Sequence, residues 1–179
     1  MQKTLNFGGE IYLDIETLRL AQEVPGEWSN IRQFGLAVAV TWDPEHGFRR
    51  WFEEDAANLV AELERFSHII TFNGERFDLE VLRGYRPAHQ LQNKSLDLLA
   101  HLKDALGFRV KLDSLAEETL GRRKTGSGVE VVSWWRAGLK EKVCKYCEND
   151  VQLLVDLVAY ARENGHVKVD GKLVPVNWR

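Results

Sequence analysis

The sequence predicts an α/β fold in which helices flank a central mixed sheet of five strands. Two observations favour this fold class. Three strand-like apolar segments come first, and helical and strand-like segments alternate after them, as expected of an α/β domain with a mixed sheet. In addition, the pair Asp170-Gly171 stands between alternating apolar residues near the C-terminal end, where it predicts a two-residue hairpin turn.

The five predicted sheet strands are short apolar segments bounded by turn residues. The second and third are joined by the turn at residues 43–47, which indicates a hairpin. The strands are predicted over residues 10–15, 34–42, 48–52, 68–72 and 96–98.

The predicted helices carry apolar residues at helical spacing, and several have end signals. Asp55 is placed to cap the first helix, while Gly84 and Gly121 are placed to end two others. Ser114 and Glu117 have the spacing of a capping box. The helices are predicted over about residues 56–66, 75–84, 98–107, 114–121, 131–136 and 140–163.

Length and composition are typical of a globular protein, since the chain has 179 residues, 44% of them hydrophobic and 28% charged. We expect a single domain over residues 1–179, with a core of about 8–163 and a C-terminal hairpin of about 166–177. A domain of this length folds without a structural metal, so any metal would be functional.

The formal charge of −3 gives no bulk support for binding nucleic acid by phosphate neutralisation. It allows an enzyme that holds few nucleotides with the help of cations. The sequence shows neither a signal-peptide pattern nor an apolar run near the roughly 18 residues that a membrane span needs. We therefore expect a cytoplasmic protein without a membrane partner.

Four acids stand out by their positions. Asp14 and Glu16 end the first predicted strand, and residues two apart on a strand face the same way. The alternative is that both are solvated acids at the start of a turn. Asp78 follows the fourth strand, where a first-turn acid favoured by the helix dipole is the alternative. Asp150 lies in the middle of the longest helix beside an apolar stripe, where a carboxylate without a partner is costly to bury.

Four acids on three separated elements can converge on divalent cations. Carboxylate oxygens suit Mg²⁺ or Mn²⁺, whereas zinc would call for histidine or cysteine. Two such ions can activate a water and stabilise the leaving oxygen of an in-line phosphoryl displacement. The four acids therefore indicate phosphodiester hydrolysis.

Three motifs, YLDIET, FNGERFD and YCEND, occur in this order along the chain. They resemble the motifs of the DEDD family of 3′-to-5′ exonucleases, which have the ribonuclease H-like fold, and the resemblance covers residues 10 to about 158. Tyr146 stands four residues before Asp150, as in the branch of the family with tyrosine in the third motif. The sister branch has histidine five residues before that acid, and this position holds Lys145. The five histidines are interpreted as surface or loop residues.

The resemblance implies a catalytic centre with two Mg²⁺ or Mn²⁺ ions. Asp14, Glu16 and Asp150 would hold the ion that activates the attacking water. Asp14 would also bridge to the second ion, which Asp78 would help to hold. Tyr146 would orient the nucleophile by hydrogen bonding, since a phenol is a poor proton acceptor at neutral pH. The implied products are nucleoside 5′-monophosphates.

Further residues are candidates for substrate binding, each with a structural alternative. Asn73 is interpreted first as a helix cap, and Phe77 first as a core residue. Three basic residues ahead of the longest helix form either a solvated loop or a clamp for the phosphates of the incoming strand. These are Arg122, Arg123 and Lys124. Of Trp134 and Trp135, one is expected in the core and the other can stack a base.

Two other patterns are interpreted as structural. Cys144 and Cys147 form a CxxC pattern inside a predicted helix with no second pair, so we expect buried thiols rather than a redox or zinc site. Asp97 lies at a strand-to-helix junction, where a capping acid is expected and a place near the active site is the alternative.

The sequence thus predicts a metal-dependent 3′-to-5′ exonuclease that acts on the 3′ ends of single-stranded nucleic acid. DNA is favoured over RNA because the DIET form of the first motif resembles proofreading exonucleases. Two alternatives remain open: a catalytically inactive nucleic-acid-binding or scaffold domain of the same fold, and a structure-selective endonuclease. A proofreading role would need a polymerase or helicase partner in trans.

Overall fold

Apolar side chains on both faces of the strands predict a sheet that is covered on both sides. The structure is a computed structural model, which describes residues 9–122 and 128–178. Along the first strand, Tyr12 packs into one hydrophobic cluster, while Ile11, Leu13 and Ile15 pack into a second cluster on the opposite face. Helices also contribute residues to each cluster.

The sheet has the strand order β3-β2-β1-β4-β5. Its strands are β1 (Glu10–Thr17), β2 (Leu36–Asp43), β3 (Gly47–Phe52), β4 (His68–Thr71) and β5 (Ser95–Asp97). β2 pairs antiparallel with β1 and β3, whereas β4 runs parallel to β1 and β5 runs parallel to β4. The predicted mixed sheet of five strands is confirmed. Because β1, β4 and β5 run in the same direction, their C-terminal ends meet at one edge of the sheet.

Six α-helices lie in the described residues. They are α1 (Ala56–Leu63), α2 (Asp78–Leu82), α3 (Leu98–Leu106), α4 (Leu112–Leu120), α5 (Gly128–Arg136) and α6 (Lys140–Asn164). α1 and α2 pack into the cluster that contains Ile11, and the other four pack into the cluster that contains Tyr12. α6 lies across β1 and β2. Arg50 of β3 holds it there, donating to Glu148 over 2.6 Å and to Glu141 over 2.7 Å.

Three helices begin elsewhere than predicted, and one of them is α5, which begins at Gly128 rather than at about Val131. α2 begins at Asp78 rather than at Glu75, because Asn73 adopts a positive φ of 70° and the chain turns before the helix starts. α4 begins at Leu112, so Ser114 lies inside its first turn and the predicted capping box is wrong. Asp55 does precede α1, but its carboxylate accepts the N–H of Phe52 instead of capping the helix.

The predicted C-terminal hairpin is confirmed as β6 (His166–Val169) and β7 (Lys172–Pro175). Its turn residues Asp170 and Gly171 have φ values of 50° and 70°, as a two-residue hairpin turn with positive φ at both positions requires. Val167, Val169 and Val174 join the cluster that also contains residues of α4 and α6. The hairpin therefore belongs to the same core as the longest helix.

Gly84 follows α2 at a place where two segments come into close contact. A Cβ atom there would lie far inside the contact distance of the backbone oxygen of Arg32. We expect Gly84→Ala to destabilise the protein by about 1–3 kcal/mol through overpacking, which lowers the midpoint of thermal unfolding by several degrees. Gly128→Ala is the matched control, because a Cβ at Gly128 meets nothing within 4 Å. Equal midpoints for the two variants would contradict this prediction.

Candidate active site

The two acids of β1 face the helix α6. Side chains alternate along a strand, so Asp14 and Glu16 point to the same face as Tyr12, which packs against α6. β1 continues to Thr17 and pairs Glu16 with Val38 of β2, so both acids lie within the strand rather than at the start of a turn.

Asp150 of α6 meets the two strand acids. Carboxylate oxygens of Asp14, Glu16 and Asp150 all lie within 4.8 Å of one another. Glu16 is only 9% exposed and Asp150 only 3%. Asp14 is half-buried. Three carboxylates this close, two of them well shielded from water, repel one another, and a divalent cation offsets that repulsion.

Asp78 lies beside this group rather than within it. It is 3% exposed at the start of α2. Burial raises its pKa well above the ordinary range, and the negative charge of Asp14 raises it further, while backbone N–H groups of Asp78 and Ile15 act in the opposite direction. The structure thus brings three of the four predicted acids into one group and places the fourth close enough to Asp14 for the two charges to interact.

The raised pKa of Asp78 gives the metal-free protein a defined pH dependence. An unfolded carboxyl group has a pKa of about 4. Above that value the native state keeps a proton that the unfolded state has lost, so stability falls as the pH rises towards the native pKa. A difference of one bound proton between the two states changes the free energy of unfolding by at most about 1.4 kcal/mol per pH unit.

We expect urea unfolding in EDTA to show this decline as the pH is raised above about 4. Asp78→Asn removes the titrating group and should give a flatter profile. A wild-type profile as flat as that of the variant would contradict the assignment.

The donor set of the group fits a hard cation. All three side chains offer carboxylate oxygens, which Mg²⁺ and Mn²⁺ prefer. Cys147 is nearby, with Sγ 3.2 Å from Oδ2 and 3.3 Å from the backbone oxygen of Asp14. Burial raises the pKa of this thiol well above its ordinary value, and the charges of Asp14 and Glu16 add to the effect. In the metal-free protein, Cys147 therefore stays a thiol that donates to Asp14.

The expectation of two buried, free thiols is confirmed for Cys144 and Cys147. The contact of Cys147 with Asp14 was not predicted. A CxxC pattern inside a helix carries no signal for it, because the contact depends on how α6 crosses β1.

Tyr146 lies one turn before Asp150 on α6 and is 8% exposed. Its ring and that of Trp134 in α5 meet in a T-shaped arrangement, with 5.9 Å between ring centroids. Both Trp134 and Trp135 are half-buried against the core, so neither is a fully buried core residue, and the stacking of a base on one of them stays a prediction.

An aromatic cavity of about 370 Å³ opens beside Glu16. Its aromatic walls are Trp28, Phe34 and Phe77, whose ring centroids are 5.6 to 6.3 Å apart. Trp28 is 64% exposed although it is large and apolar. Trp28 and Phe34 were not predicted as site residues, and the one available signal for them was the presence of aromatic residues in the segment after β1.

Helix α5 forms another side of the same cavity through Gly128, Val129 and Val132. Arg136 at the end of α5 donates to both carboxylate oxygens of Glu23, over 2.8 and 2.7 Å, and to the backbone oxygen of Leu18. This contact ties α5 to the segment that follows β1 and keeps the two sides of the aromatic cavity together.

The candidate substrate-binding residues are in varied settings. Asn73 does not cap α2; its side-chain oxygen accepts from Arg109 over 2.9 Å. Phe77 is half-buried, packs at the edge of the core and lines the aromatic cavity. Arg122 forms an ion pair with Asp156 of α6. Arg123 and Lys124 lie outside the described residues, and the substrate-binding role of all five stays a prediction.

Asp97 caps α3 as predicted, accepting the N–H groups of Leu99 and Ala100. It also accepts the N–H groups of Asn73 and Glu75, ahead of α2.

The five histidines lie at the surface, four of them exposed and His166 half-buried. In the described part of the chain, none of the helices is both long enough and apolar enough to cross a bilayer.

Comparison with solved structures shows the fold. A family B DNA polymerase from the archaeon Pyrobaculum calidifontis is similar with a TM-score of 0.64 and 14% identity, over 86% of this chain and 24% of that one. An RNase D from Trypanosoma brucei is similar with a TM-score of 0.59 and 17% identity, over 97% of this chain and 70% of that one. The chain thus spans about a quarter of the polymerase.

Comparison with curated protein sequences gave no match. The sequence pattern of one protein family, described as the RNase_H superfamily, matches residues 11–164. This range runs from β1 through the end of α6 and includes all the acids of the candidate site. The chain belongs to the RNase H superfamily.

Proposed function

We propose that the protein is a metal-dependent 3′-to-5′ exonuclease that hydrolyses phosphodiester bonds at the 3′ ends of single-stranded nucleic acid. The observation that supports this most strongly is the group of three carboxylates within 4.8 Å, shared between β1 and α6. Its position in an RNase H superfamily chain, with a cavity of nucleotide size beside Glu16, supports the same conclusion.

Asp14, Glu16 and Asp150 would hold a divalent cation, and Asp78 would help to hold a second one next to Asp14. When bound, a pair of Mg²⁺ or Mn²⁺ ions lowers the pKa of a water molecule and stabilises the leaving oxygen. The thiol of Cys147 keeps the carboxylate of Asp14 oriented by donating to it. Tyr146 orients the attacking water by hydrogen bonding, because a phenol does not accept a proton readily at neutral pH.

The aromatic cavity suits the terminal nucleotide. Aromatic side chains stack on bases regardless of sequence, as an enzyme that removes one nucleotide after another requires. The cavity begins at Glu16, so a base that lies among Trp28, Phe34 and Phe77 has its 5′-phosphate near the carboxylate group. Phe77 therefore acts both as a packing residue and as part of the substrate site.

The choice between DNA and RNA is open to a direct test. The form of the first motif favours DNA, while the two solved structures of similar fold are named a DNA polymerase and an RNase D. We expect the enzyme to act on single-stranded DNA with Mn²⁺ or Mg²⁺. Matched DNA and RNA oligonucleotides, compared at equal concentration, measure the preference.

The direction of degradation tests the function itself. A 5′-labelled oligonucleotide should give a ladder of shortening products in the presence of Mn²⁺, and a 3′-labelled one should release the label as a mononucleotide. Circular single strands should stay intact. Cleavage of circles would favour the endonuclease alternative, and no cleavage of any substrate would favour a catalytically inactive binding domain.

A further inference from the structure

A second cavity lies on the opposite side of α5 from the aromatic cavity. Val132 lines the aromatic cavity, and Trp134, two residues later, points to the other side of the helix. There it forms part of an open cavity of about 480 Å³. The residues that line this lysine–tryptophan cavity are Trp134, Glu141, Lys142, Lys145, Tyr146 and Asn149.

Tyr146 connects the lysine–tryptophan cavity with the candidate active site. It is part of the wall, and it lies one helical turn before Asp150. Glu16 borders the aromatic cavity in the same way. The carboxylate group thus has one cavity on its Glu16 side and the other on its Tyr146 side.

Two lysines make the second cavity suitable for phosphates. The Nζ atom of Lys142 lies 3.6 Å from the centroid of the Trp134 ring. Lys145 is 69% exposed, and its Nζ atom is 3.9 Å from a carboxylate oxygen of Glu141. Exposed contacts of both kinds are weak, so a phosphate can draw either ammonium group away from its present partner.

We propose that the lysine–tryptophan cavity binds the nucleotides on the 5′ side of the scissile bond, with phosphates at Lys142 and Lys145 and a base against Trp134. This inference rests on the proposed exonuclease function. A strand whose terminal nucleotide occupies the aromatic cavity continues past the carboxylate group towards Tyr146. Cationic side chains there offset the repulsion between strand phosphates and the acids, and the aromatic ring accepts any base.

The chain offers a matched control for Lys142. Lys140 lies on the same turn of α6, is also exposed, and has its Nζ atom 5.0 Å from the centroid of the Trp135 ring. Trp135 packs against Phe52 of β3, and neither Trp135 nor Lys140 lines the lysine–tryptophan cavity. Lys140→Glu therefore changes the net charge of the protein by the same amount as Lys142→Glu does, without altering the cavity.

The test measures binding separately from hydrolysis. The Asp14→Asn substitution prevents degradation of the ligand during the measurement. Fluorescence anisotropy then gives the Kd for 5′-labelled oligothymidylates of two and eight nucleotides. In this background, Lys142→Glu and Lys145→Glu should each weaken binding of the octanucleotide about fivefold or more, since each removes a phosphate contact. Each should also reduce the slope of log Kd against log salt by about 0.7. Lys142→Arg should retain the affinity, and Lys140→Glu should leave it unchanged.

Two results would overturn the proposal. Equal weakening by Lys140→Glu and Lys142→Glu would show a general effect of net charge, and unchanged affinity in both cavity variants would show that the strand takes another path. If oligonucleotides bind in this lysine-dependent way but the wild-type protein releases no nucleotides, the exonuclease function fails and the binding site stands. If the wild-type protein degrades DNA but its affinity does not depend on Lys142 and Lys145, only the binding site fails.

Discussion

Replacement of Asp14 by alanine is expected to lower the rate of nucleotide release by about 10³-fold or more. Asp14 belongs to the carboxylate group with Glu16 and Asp150, and it interacts electrostatically with Asp78. The substitution thus weakens both cation positions at once, and each cation contributes several kcal/mol to the transition state. The measurement is the single-turnover rate with a labelled oligonucleotide and Mn²⁺.

Asp104→Ala is the control for the Asp14 variant. Asp104 is exposed on α3, so the substitution makes the same change in net charge at the surface. This variant should keep the wild-type rate, and calorimetry should detect Mn²⁺ binding to it but not to Asp14→Ala. An Asp14→Ala enzyme with a rate near that of the wild type would refute the proposed metal centre.

Replacement of Asp97 by alanine is expected to cause the largest loss of stability. The carboxylate accepts four backbone N–H groups, over 2.8 to 3.2 Å, from Asn73, Glu75, Leu99 and Ala100. Alanine leaves these shielded donors without an acceptor, which costs at least about 3 kcal/mol in the free energy of unfolding. Urea denaturation measures this loss.

Asp97→Asn separates hydrogen bonding from side-chain volume. Oδ1 accepts three of the four N–H groups, and asparagine retains one such oxygen. We expect a clearly smaller loss of stability than for alanine. If both variants lost the same amount of unfolding free energy, the hydrogen bonds of Asp97 would not be the source of the stabilisation. Because Asp97 fixes the segment ahead of α2, activity should fall in parallel with stability.

The sheet and the longest helix could be predicted because their signals are local. Apolar runs separated by turn residues defined the five strands, and a stripe of apolar residues defined α6. The start of α2 could not be predicted in this way. Its position depends on Asp97, distant in sequence, which holds the N–H groups of Asn73 and Glu75 in a turn.

The candidate site, too, could be predicted only in part. The acids of β1 and α6 were predicted to meet, and the structure brings them within 4.8 Å. The aromatic cavity depends on how the 3₁₀ segment Glu27–Gln33 folds back beside Phe77, and no periodic pattern encodes that packing. The contact of Cys147 with Asp14 likewise arises from the crossing of two elements.

The distance in sequence between β1 and α6 has a consequence for biosynthesis. The ribosome completes Asp14 and Glu16 early and Asp150 late, so a nascent chain that ends before α6 carries two of the three grouped acids and lacks Tyr146. Such contacts between distant segments form only after both have been synthesised. The proposed nuclease activity is therefore absent from the growing polypeptide and arises only after translation has passed α6.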